Sequence, residues 1–457
     1  MRARLPAKTS ALACAQRSLL AIGAKLRISH GRRLIRCDLS RIGERGEGLS
    51  PSLWLRVREL VYFLFNHLEH DYRVVATGVP YCLFPDAEDH VLFDRQPASR
   101  ALRLAACASC KHRERCPGMP SRLLSAALNP PPVPDLPKEI VIEVTKDCNL
   151  DCKICFAGTG PARPSFPRIK ELVRETKSLG IRSIRFTGGE PLLRPDILRL
   201  LEYAKSRGLY VILNTNATLV NPTALRALPR LVDNVLISLQ GCDPFSDRRL
   251  TRGGVPYAAK LEHIARLADS GIGIVRLGTV MSDFLITRFE RYAEAVLKLG
   301  IRHWELYRPM LERKALAANP EFAISPQAVR GLCRRLYALK SRGVDGKIAN
   351  AFPFCLIVEE RLRNSVLMGA AADEGHSRII FDCRGFFKPS YFINKNLGSG
   401  IRKAWEHPFL KRLNSLAYLP AQCRSCPELR WCLGGSRFWA KQAFGDYLRR
   451  DPWMPVN

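Results

Sequence analysis

The fold of this chain is decided by TKDCNLDCKICF, residues 145–156, which carries cysteines at Cys148, Cys152 and Cys155. In iron–sulfur clusters each thiolate binds one iron, so three cysteines leave one iron of a four-iron cluster open. Metal sites use such an open position to bind a substrate or cofactor. A zinc knuckle is the competing interpretation, but zinc sites usually pair CxxC elements, and three residues separate Cys148 from Cys152. We therefore predict a three-cysteine iron–sulfur site.

The composition is typical of a soluble globular protein of several domains. Of the 457 residues, 47% are hydrophobic and 25% are charged. No apolar run approaches the ~18 residues that a membrane-spanning helix needs. Sixteen cysteines in a chain without a convincing secretion signal indicate metal ligands in a reducing compartment. We therefore expect a cytoplasmic protein with metal sites rather than disulfides.

Positive charge is a second compositional feature. The formal net charge is +30, which would suit an anionic partner such as nucleic acid. The basic residues are scattered through every segment, however, so we favour an arginine-rich solvated surface over a nucleic-acid-binding face. The residues before Asp38 include no acidic side chain. We interpret them as a loosely docked basic leader.

Apolar strands alternate with amphipathic helical stretches after residue 138. The strands are EIVIEV (139–144), IRSIRF (181–186), LYVILNT (209–215), VDNVLISL (232–239), IGIVRLGTV (272–280) and IRHWELY (301–307). This alternation predicts an α/β fold with a parallel sheet and right-handed crossovers. Six units are too few for a closed eight-stranded barrel, so we predict an open, partial (β/α)6 barrel. Ligands of such folds bind at the carboxyl ends of the strands.

Composition shifts divide the chain into segments. The stretch NPPPVPDLP forces extended backbone and stops both helices and central strands. The predicted segments are a basic leader with a cysteine-rich N-terminal α+β domain (1–128), a proline-rich linker (129–137), the partial barrel (138–312), a helical connection (313–349), a second small cysteine-rich α+β domain (350–440) and a tail (441–457).

Further motifs follow successive strands in an order that points to one family. TGGEP (187–191) comes after the second strand, Thr215 ends the third, and Ser238 lies at the end of the fourth. Together with the cysteine motif they resemble the radical S-adenosylmethionine superfamily. The resemblance implies that S-adenosylmethionine chelates the open iron through its amino and carboxylate groups. It also implies reductive cleavage of the sulfonium and hydrogen abstraction from a substrate by a 5′-deoxyadenosyl radical.

The resemblance assigns roles to individual residues. Gly188, Gly189 and Glu190 would hold the methionine amino group, and Phe156 would pack near the adenine. Thr215 and Ser238 would make polar contacts to S-adenosylmethionine. Relatives often have an acidic residue where Gln240 stands. This departure leaves the ribose side of the site open.

Two further cysteine sets share one pattern. Each set has an isolated cysteine in an apolar stretch, followed by a Cys-x2-Cys-x5-Cys run and a glycine. The sets are Cys82 with Cys107, Cys110 and Cys116, and Cys355 with Cys423, Cys426 and Cys432. Four thiols can close a metal site or a four-iron cluster. We therefore predict one or two auxiliary clusters, the alternative being unmetallated buried thiols.

The segment 379–437 contains a predicted small hairpin in FDCRGFFKPS and a final CxxCx5CxGG run. With these features it resembles the SPASM/Twitch auxiliary-cluster domain. Full domains of that kind carry cysteines where Ser390 and Ser436 stand, and both serve the first auxiliary cluster. Their loss implies that this cluster is absent. One auxiliary cluster would remain, on the Cys423 run, with Cys355 or Cys383 as its fourth ligand. We favour Cys355 by analogy with Cys82.

The resulting hypothesis is a radical S-adenosylmethionine enzyme that modifies a peptide or protein. It would bind S-adenosylmethionine and a 4Fe-4S cluster, and take electrons from a donor such as ferredoxin or flavodoxin. Two alternatives stay open. One is a radical enzyme acting on RNA, a small metabolite or a cofactor precursor. The other is a non-enzymatic iron–sulfur or zinc scaffold.

Overall fold

The chain divides into two compact units, Met1–Asp135 and Leu136–Asn457. The computed structural model describes residues 24–29, 34–40, 73–84, 91–92, most of 101–120, and 135–455 without 156–157, 159 and 371–373; Leu20 and four residues between 57 and 64 are described singly. None of the helices in these ranges is long and apolar enough to cross a membrane.

The first unit is built on a four-stranded sheet. Its strands are β1 (Lys25–Ser29), β2 (Leu34–Asp38), β3 (Arg73–Thr77) and β4 (Val91–Leu92). The β1 and β2 strands are antiparallel, whereas β2, β3 and β4 are parallel. The second half of the basic leader is therefore part of the sheet rather than loosely docked. A short antiparallel pair, β5 (Ala101–Leu102) and β6 (Met119–Pro120), brackets the cysteine run between them.

The second unit is built on a nine-stranded, mainly parallel sheet. Its spatial order is β13-β12-β11-β10-β9-β8-β7-β14-β15. The strands are β7 (Glu139–Glu143), β8 (Ser183–Thr187), β9 (Tyr210–Thr215), β10 (Asn234–Ser238), β11 (Ile274–Val280), β12 (His303–Tyr307), β13 (Asp345–Ile348), β14 (Arg378–Phe381) and β15 (Phe387–Lys388). The first and last strands of this order do not pair, so the sheet is open. This confirms the predicted partial barrel.

Three strands extend the six that the sequence predicts for the barrel. β13 joins one edge in parallel to β12, within the stretch 313–349 that we expected to be helical. Its sequence, DGKI, has too little apolar character to be recognised as a strand. On the other edge β14 pairs in parallel with β7, and β15 returns antiparallel to β14. The predicted hairpin of the C-terminal segment thus continues the barrel sheet.

The described part of the second unit also contains fifteen α-helices. They are α1 (Phe166–Ser178), α2 (Ile197–Ser206), α3 (Pro222–Leu231), α4 (Pro244–Thr251), α5 (Tyr257–Ala268), α6 (Asp283–Thr287), α7 (Phe289–Lys298), α8 (Arg313–Ala318), α9 (Pro326–Leu339), α10 (Glu360–Val366), α11 (Ile401–Trp405), α12 (Pro408–Asn414), α13 (Ala421–Arg424), α14 (Leu429–Cys432) and α15 (Arg437–Phe444). The apolar side chains of the strands, such as Ile142 and Phe186, pack with the buried faces of helices α1 and α2 in one large core. This packing fixes the strand ends that carry the motifs.

Candidate active site

The three motif cysteines lie in the loop that follows β7. Cys148 and Cys152 are partly buried and Cys155 is exposed. The backbone N–H of Cys155 donates to the carbonyl of Cys152 at 2.9 Å. The loop is held by the end of α4, because the N–H of Lys153 donates to the carbonyl of Leu250 at 3.0 Å. The thiols are therefore presented by an ordered loop at the carboxyl end of the sheet.

Burial disfavours the thiolate forms of these cysteines. It raises the pKa of Cys152 to about 12, and the neighbouring Cys155 and Cys148 add to the effect while Lys260 opposes it. It also raises the pKa of Cys148. Free thiols are then protonated at neutral pH, and a bound metal has to displace their protons. Two half-buried thiols beside an exposed third suit a cluster that faces a cavity.

The two glycines of the TGGEP motif pack against the cysteine loop. The N–H of Gly189 donates to the carbonyl oxygen of Thr145 at 2.7 Å. A Cβ on Gly188 would lie 2.2 Å from that same oxygen, and one on Gly189 would lie 2.1 Å from the carbonyl oxygen of Asp147. Both positions therefore exclude a side chain because the loop backbone comes so close. Both glycines therefore seat this loop, and their predicted contact with the methionine amino group stays a prediction.

The Glu190 carboxylate links the motif to the end of β9. Its Oε1 accepts from the hydroxyl of Thr215 at 2.7 Å and from the N–H of Leu192 at 3.0 Å, and its Oε2 accepts from the N–H of Asn216 at 2.7 Å. The side chain is fully buried. Burial raises its pKa, although these donors oppose the shift. Glu190 and Thr215 are thus engaged with each other and position the loop.

An amide pair that the sequence analysis missed ties β9 to the cysteine loop. The Asn216 amide nitrogen donates to Asn149 Oδ1 at 3.0 Å and lies 4.0 Å from the Cys148 sulfur. Asn149 in turn donates to the hydroxyl of Thr218 at 2.8 Å. An N–H near a cluster sulfur is one of the levers that tune a cluster's reduction potential. The adjacency of Asn149 to Cys148 was the available signal.

The other residues expected near S-adenosylmethionine are Ser238, Gln240 and Phe156. Ser238 is the partly buried last residue of β10. Gln240 is buried and accepts from the N–H of Val280 at 2.9 Å, so its amide joins the ends of β10 and β11. Phe156 lies outside the described residues. The motif residues therefore follow or end four neighbouring strands, β7 to β10, at their carboxyl ends.

Charged side chains line the inner face of the barrel. Arg185 of β8 donates two hydrogen bonds to Glu139 of β7, at 2.9 and 3.0 Å. Arg276 of β11 donates to Glu305 of β12 at 2.6 Å. Burial raises the pKa of Glu139, but Arg185, Arg378 and Arg276 together hold it at about 2. The interaction with Arg276, which lies on a distant strand, shows that these charges converge. Sequence reasoning missed this polar lumen, although alternating charges within the apolar strands were its signal.

A further ion pair lies on the inner face below the cysteine loop. The Lys388 ammonium contacts Glu143 Oε1 at 2.7 Å and Asp382 Oδ2 at 3.3 Å. All three side chains are nearly inaccessible to solvent. Burial raises the pKa of Glu143, while Lys388 opposes this. Glu143 ends β7 and Lys388 ends β15, so the C-terminal hairpin brings a buried cation to the active face of the barrel.

The C-terminal cysteines separate into a set and an outlier. Burial raises the pKa of Cys355 to about 12, and the neighbouring thiols of Cys432, Cys423 and Cys426 add to the shift. The N–H of Phe354 also donates to the Cys432 sulfur at 3.5 Å, which places the Cys355 segment against the run.

Cys383 is elsewhere, beside the barrel. Its thiol donates to the carbonyl of Glu143 at 3.2 Å. Burial raises the pKa of Cys383 to about 12, with Glu143 and Asp382 adding to the shift and Lys146 and Lys388 opposing it. The structure therefore gathers Cys355 with the run and leaves Cys383 out of the set.

The two serines that stand in place of family cysteines are buried in hydrogen bonds. Ser436 donates to Glu374 at 2.7 Å and caps α15 by accepting from the N–H of Trp439 at 3.2 Å. Ser390 accepts from the N–H groups of Phe392 and Ile393 at 3.1 and 3.2 Å. A small apolar cluster of Met310, Ala351, Ala370 and Phe438, with Phe392 against it, packs beside both serines. These positions serve packing.

The four N-terminal cysteines also come together within the first unit. Burial raises the pKa of Cys82 to about 12, and the neighbouring thiols of Cys116, Cys110 and Cys107 add to the shift. Across the described parts of the chain, no three His, Cys, Asp or Glu side chains converge on one metal-ion position. A cluster does not require such convergence, because each of its thiolates binds a different iron.

Comparison with known proteins finds a match to a superfamily model and several similar relatives. Residues 142–299 match the model of the radical SAM superfamily. A PqqA peptide cyclase of Ruegeria pomeroyi is 27% identical over 330 residues, which is 69% of this chain and 86% of the relative. An AdoMet-dependent heme synthase of Methanosarcina barkeri is 23% identical over 69% of this chain and 96% of the relative.

The fold has solved counterparts. The crystal structure of Streptococcus suis SuiB bound to precursor peptide SuiA superposes with a TM-score of 0.55 and 16% identity, over 70% of this chain and 76% of that one. This likeness concerns the fold alone.

Proposed function

This chain is a radical S-adenosylmethionine enzyme with a C-terminal auxiliary domain, and we propose that its substrate is a peptide or protein. The observation that carries the proposal is the similarity to a PqqA peptide cyclase, which extends beyond the barrel over 69% of this chain. The polar barrel lumen supports it, because backbone amides of a peptide need hydrogen-bond partners there and a partly buried carboxylate such as Glu139 can supply one.

The residues present fit a 4Fe-4S cluster and S-adenosylmethionine. Cys148, Cys152 and Cys155 supply three thiolates from one ordered loop and leave one iron open. When bound, cluster and cofactor supply one-electron cleavage of the sulfonium and removal of a hydrogen atom from the substrate. The chain itself seats the cysteine loop through the close contact at Gly189 and the hydrogen bonds of Glu190. The S-adenosylmethionine contacts of Ser238, Thr215 and the TGGEP backbone, and of Phe156, remain part of this proposal.

A cofactor precursor is the second candidate substrate. It is favoured by the match to an AdoMet-dependent heme synthase over 96% of that relative's length. A charged lumen also suits a small molecule that carries carboxylates. The two candidates differ in the source of the abstracted hydrogen, and this difference can be measured.

We expect deuterium to pass from peptides to 5′-deoxyadenosine. Cells that express the chain are grown in heavy water, and their extract is divided into a peptide fraction and a tetrapyrrole fraction. Each fraction is incubated anaerobically with the reconstituted enzyme, unlabelled S-adenosylmethionine and dithionite. Mass spectrometry then measures deuterium in 5′-deoxyadenosine.

Label from the peptide fraction that disappears after peptidase digestion supports the proposal. Label from the tetrapyrrole fraction alone contradicts it and favours the second candidate. The Cys152→Ala variant is the control for label that arises without the enzyme's chemistry.

We also propose one auxiliary cluster in the C-terminal domain. Its ligands are Cys355, Cys423, Cys426 and Cys432, which supply four thiolates and so a closed cluster. Electrons would come from a donor such as ferredoxin or flavodoxin. The cysteine content suits a cytoplasmic location, where thiols stay reduced.

Two cysteine variants distinguish the candidate fourth ligands. The test uses a Cys148/Cys152/Cys155→Ala background, which lacks the barrel cluster. In this background Cys355→Ser should lower the iron content, because serine replaces one thiolate ligand of the C-terminal auxiliary cluster and destabilises it. Cys383→Ser should change nothing, because Cys383 faces the carbonyl of Glu143. Iron content and the Mössbauer spectrum of each variant test this. The opposite pattern would assign the ligand to Cys383.

A further inference from the structure

The two four-cysteine sets have the same local backbone structure. They lie in different units of the chain and share a short 3-10 helix that carries the isolated cysteine. This helix is Tyr81–Leu83 in the first unit and Phe354–Leu356 in the second. Each follows a proline, and each places its cysteine in the middle and a buried leucine third. The two prolines have φ values of −73° and −72°.

The hydrogen bonds of the two short helices correspond one to one. In the first, Leu83 donates to the carbonyl of Pro80 at 3.2 Å and Phe84 donates to that of Tyr81 at 3.0 Å. In the second, Leu356 donates to Pro353 at 3.2 Å and Ile357 donates to Phe354 at 3.0 Å.

The Cys-x2-Cys-x5-Cys runs correspond in the same way. In the first unit Cys110 donates to the carbonyl of Cys107 at 3.3 Å, and Cys116 donates to His112 at 2.8 Å. In the second unit Cys426 donates to Cys423 at 3.2 Å, and Cys432 donates to Glu428 at 2.8 Å. Each run is thus folded so that its three thiols keep the same relative backbone positions.

The last cysteine of each run receives equivalent N–H groups. In the first unit the Cys116 sulfur accepts from Gly118 at 3.4 Å and from the N–H of Tyr81. In the second unit the Cys432 sulfur accepts from Phe354 at 3.5 Å and from the N–H of Gly434. Both glycines have positive φ, which allows their N–H to turn back toward the sulfur. N–H groups aimed at sulfur stabilise a thiolate, as cluster ligation requires.

The first unit also holds its isolated cysteine against its run by a contact of its own. The Tyr81 ring stacks on the His112 ring with centroids 4.0 Å apart and planes 24° apart. Tyr81 precedes Cys82, and His112 lies between Cys110 and Cys116. The stacking therefore fixes Cys82 beside the run without any help from the second unit.

We propose that the first unit binds a 4Fe-4S cluster through Cys82, Cys107, Cys110 and Cys116. The inference goes beyond the proposed function and does not depend on it. Four thiolates would ligate all four irons, so this cluster has no open position and cannot bind S-adenosylmethionine. Its chemistry is that of a closed cluster: electron transfer or stabilisation of the unit.

The test removes every other cluster site from the full-length chain. A variant with Cys152→Ala, Cys155→Ala, Cys426→Ala and Cys432→Ala is reconstituted anaerobically with iron and sulfide. We expect it to retain about four iron and about four sulfide per chain, with the Mössbauer spectrum of a 4Fe-4S cluster. Adding Cys110→Ala to this protein should remove that iron. Adding Cys37→Ala, a buried thiol in the core of the same unit, should not.

Retention of no iron, or of zinc without sulfide, would overturn the proposal. Because the four substitutions can disturb folding, the single Cys110→Ala variant provides a second measurement. It should lose about four iron per chain relative to the wild type. If Cys110→Ala and Cys37→Ala hold the same iron as the wild type, the proposal is overturned. Neither result depends on which substrate the barrel takes.

Discussion

Replacing Cys152 by alanine should abolish the reductive cleavage of S-adenosylmethionine. The cysteine loop supplies three thiolates to the barrel site, and each thiolate binds a separate iron. Cys152 is the middle ligand, so its loss leaves two irons without protein ligands. We expect 5′-deoxyadenosine formation with dithionite to fall to background, together with a loss of about four iron per chain. Anaerobic iron analysis and chromatography of the reaction measure both.

The matched control is Cys333→Ala. Cys333 is a fully buried thiol in α9, so its replacement also removes a cysteine from the second unit. It should cost some stability through the cavity that it leaves, but retain iron and cleavage. If Cys152→Ala cleaves S-adenosylmethionine as fast as Cys333→Ala, the barrel site is not the reaction centre. If cluster-loaded wild type and Cys333→Ala both form no 5′-deoxyadenosine, the chain would fit the non-enzymatic scaffold alternative.

The sequence was sufficient for the barrel because its strands are long apolar runs that end at motif residues. Stretches such as EIVIEV and LYVILNT are so apolar that a buried strand is the main structure compatible with them. β13 escaped prediction because DGKI is short and polar, and it is specified by pairing with β12. β14 was recognised as part of a hairpin, yet nothing local shows that it pairs with β7, more than two hundred residues earlier.

Site residues were predictable by type and less so by contact. The spacing of the three cysteines identified the loop in the sequence, because their thiolates have to reach three irons of one cluster. The partners of Gly188 and Glu190 are set by the fold, so their contacts to Thr145 and Asn216 could not be read from a motif. The same limit applies to Cys383. Its neighbour in sequence, Asp382, belongs to a hairpin whose position in the sheet only the structure gives.

A buried ion pair in the tail holds the backbone at Ser436, the position where SPASM/Twitch domains carry a cluster cysteine. Asp451 Oδ2 accepts from Arg308 at 2.7 Å and from the N–H of Ser436 at 2.7 Å. Arg308 and Asp451 are fully buried, and the guanidinium lies 3.6 Å from the ring centroid of Trp453. A Cβ on Gly435 would lie 2.7 Å from Asp451 Oδ2. The tail thus closes tightly over the turn between Cys432 and α15.

Removing one partner of this pair should destabilise the second unit strongly. Asp451→Ala leaves the Arg308 charge buried without its counter-ion and leaves the Ser436 N–H without an acceptor. Breaking a buried pair in this way costs about 3–5 kcal/mol. We expect a loss of that size in the free energy of unfolding, measured by urea denaturation under anaerobic conditions. Asp446→Ala, on the exposed part of the same tail, is the control and should be nearly neutral.

The double variant Arg308→Met/Asp451→Leu separates the cost of an orphaned charge from the value of the pair. Apolar replacement of both partners leaves no uncompensated charge and should recover much of the lost stability. Such replacement of a buried ion pair is often neutral or stabilising. The Ser436 N–H remains orphaned, so about 1–3 kcal/mol should persist. Equal stability of Asp451→Ala and Asp446→Ala would show that the tail does not hold this region. The presence of serine rather than cysteine at position 436 would then have another cause than its contact with Asp451.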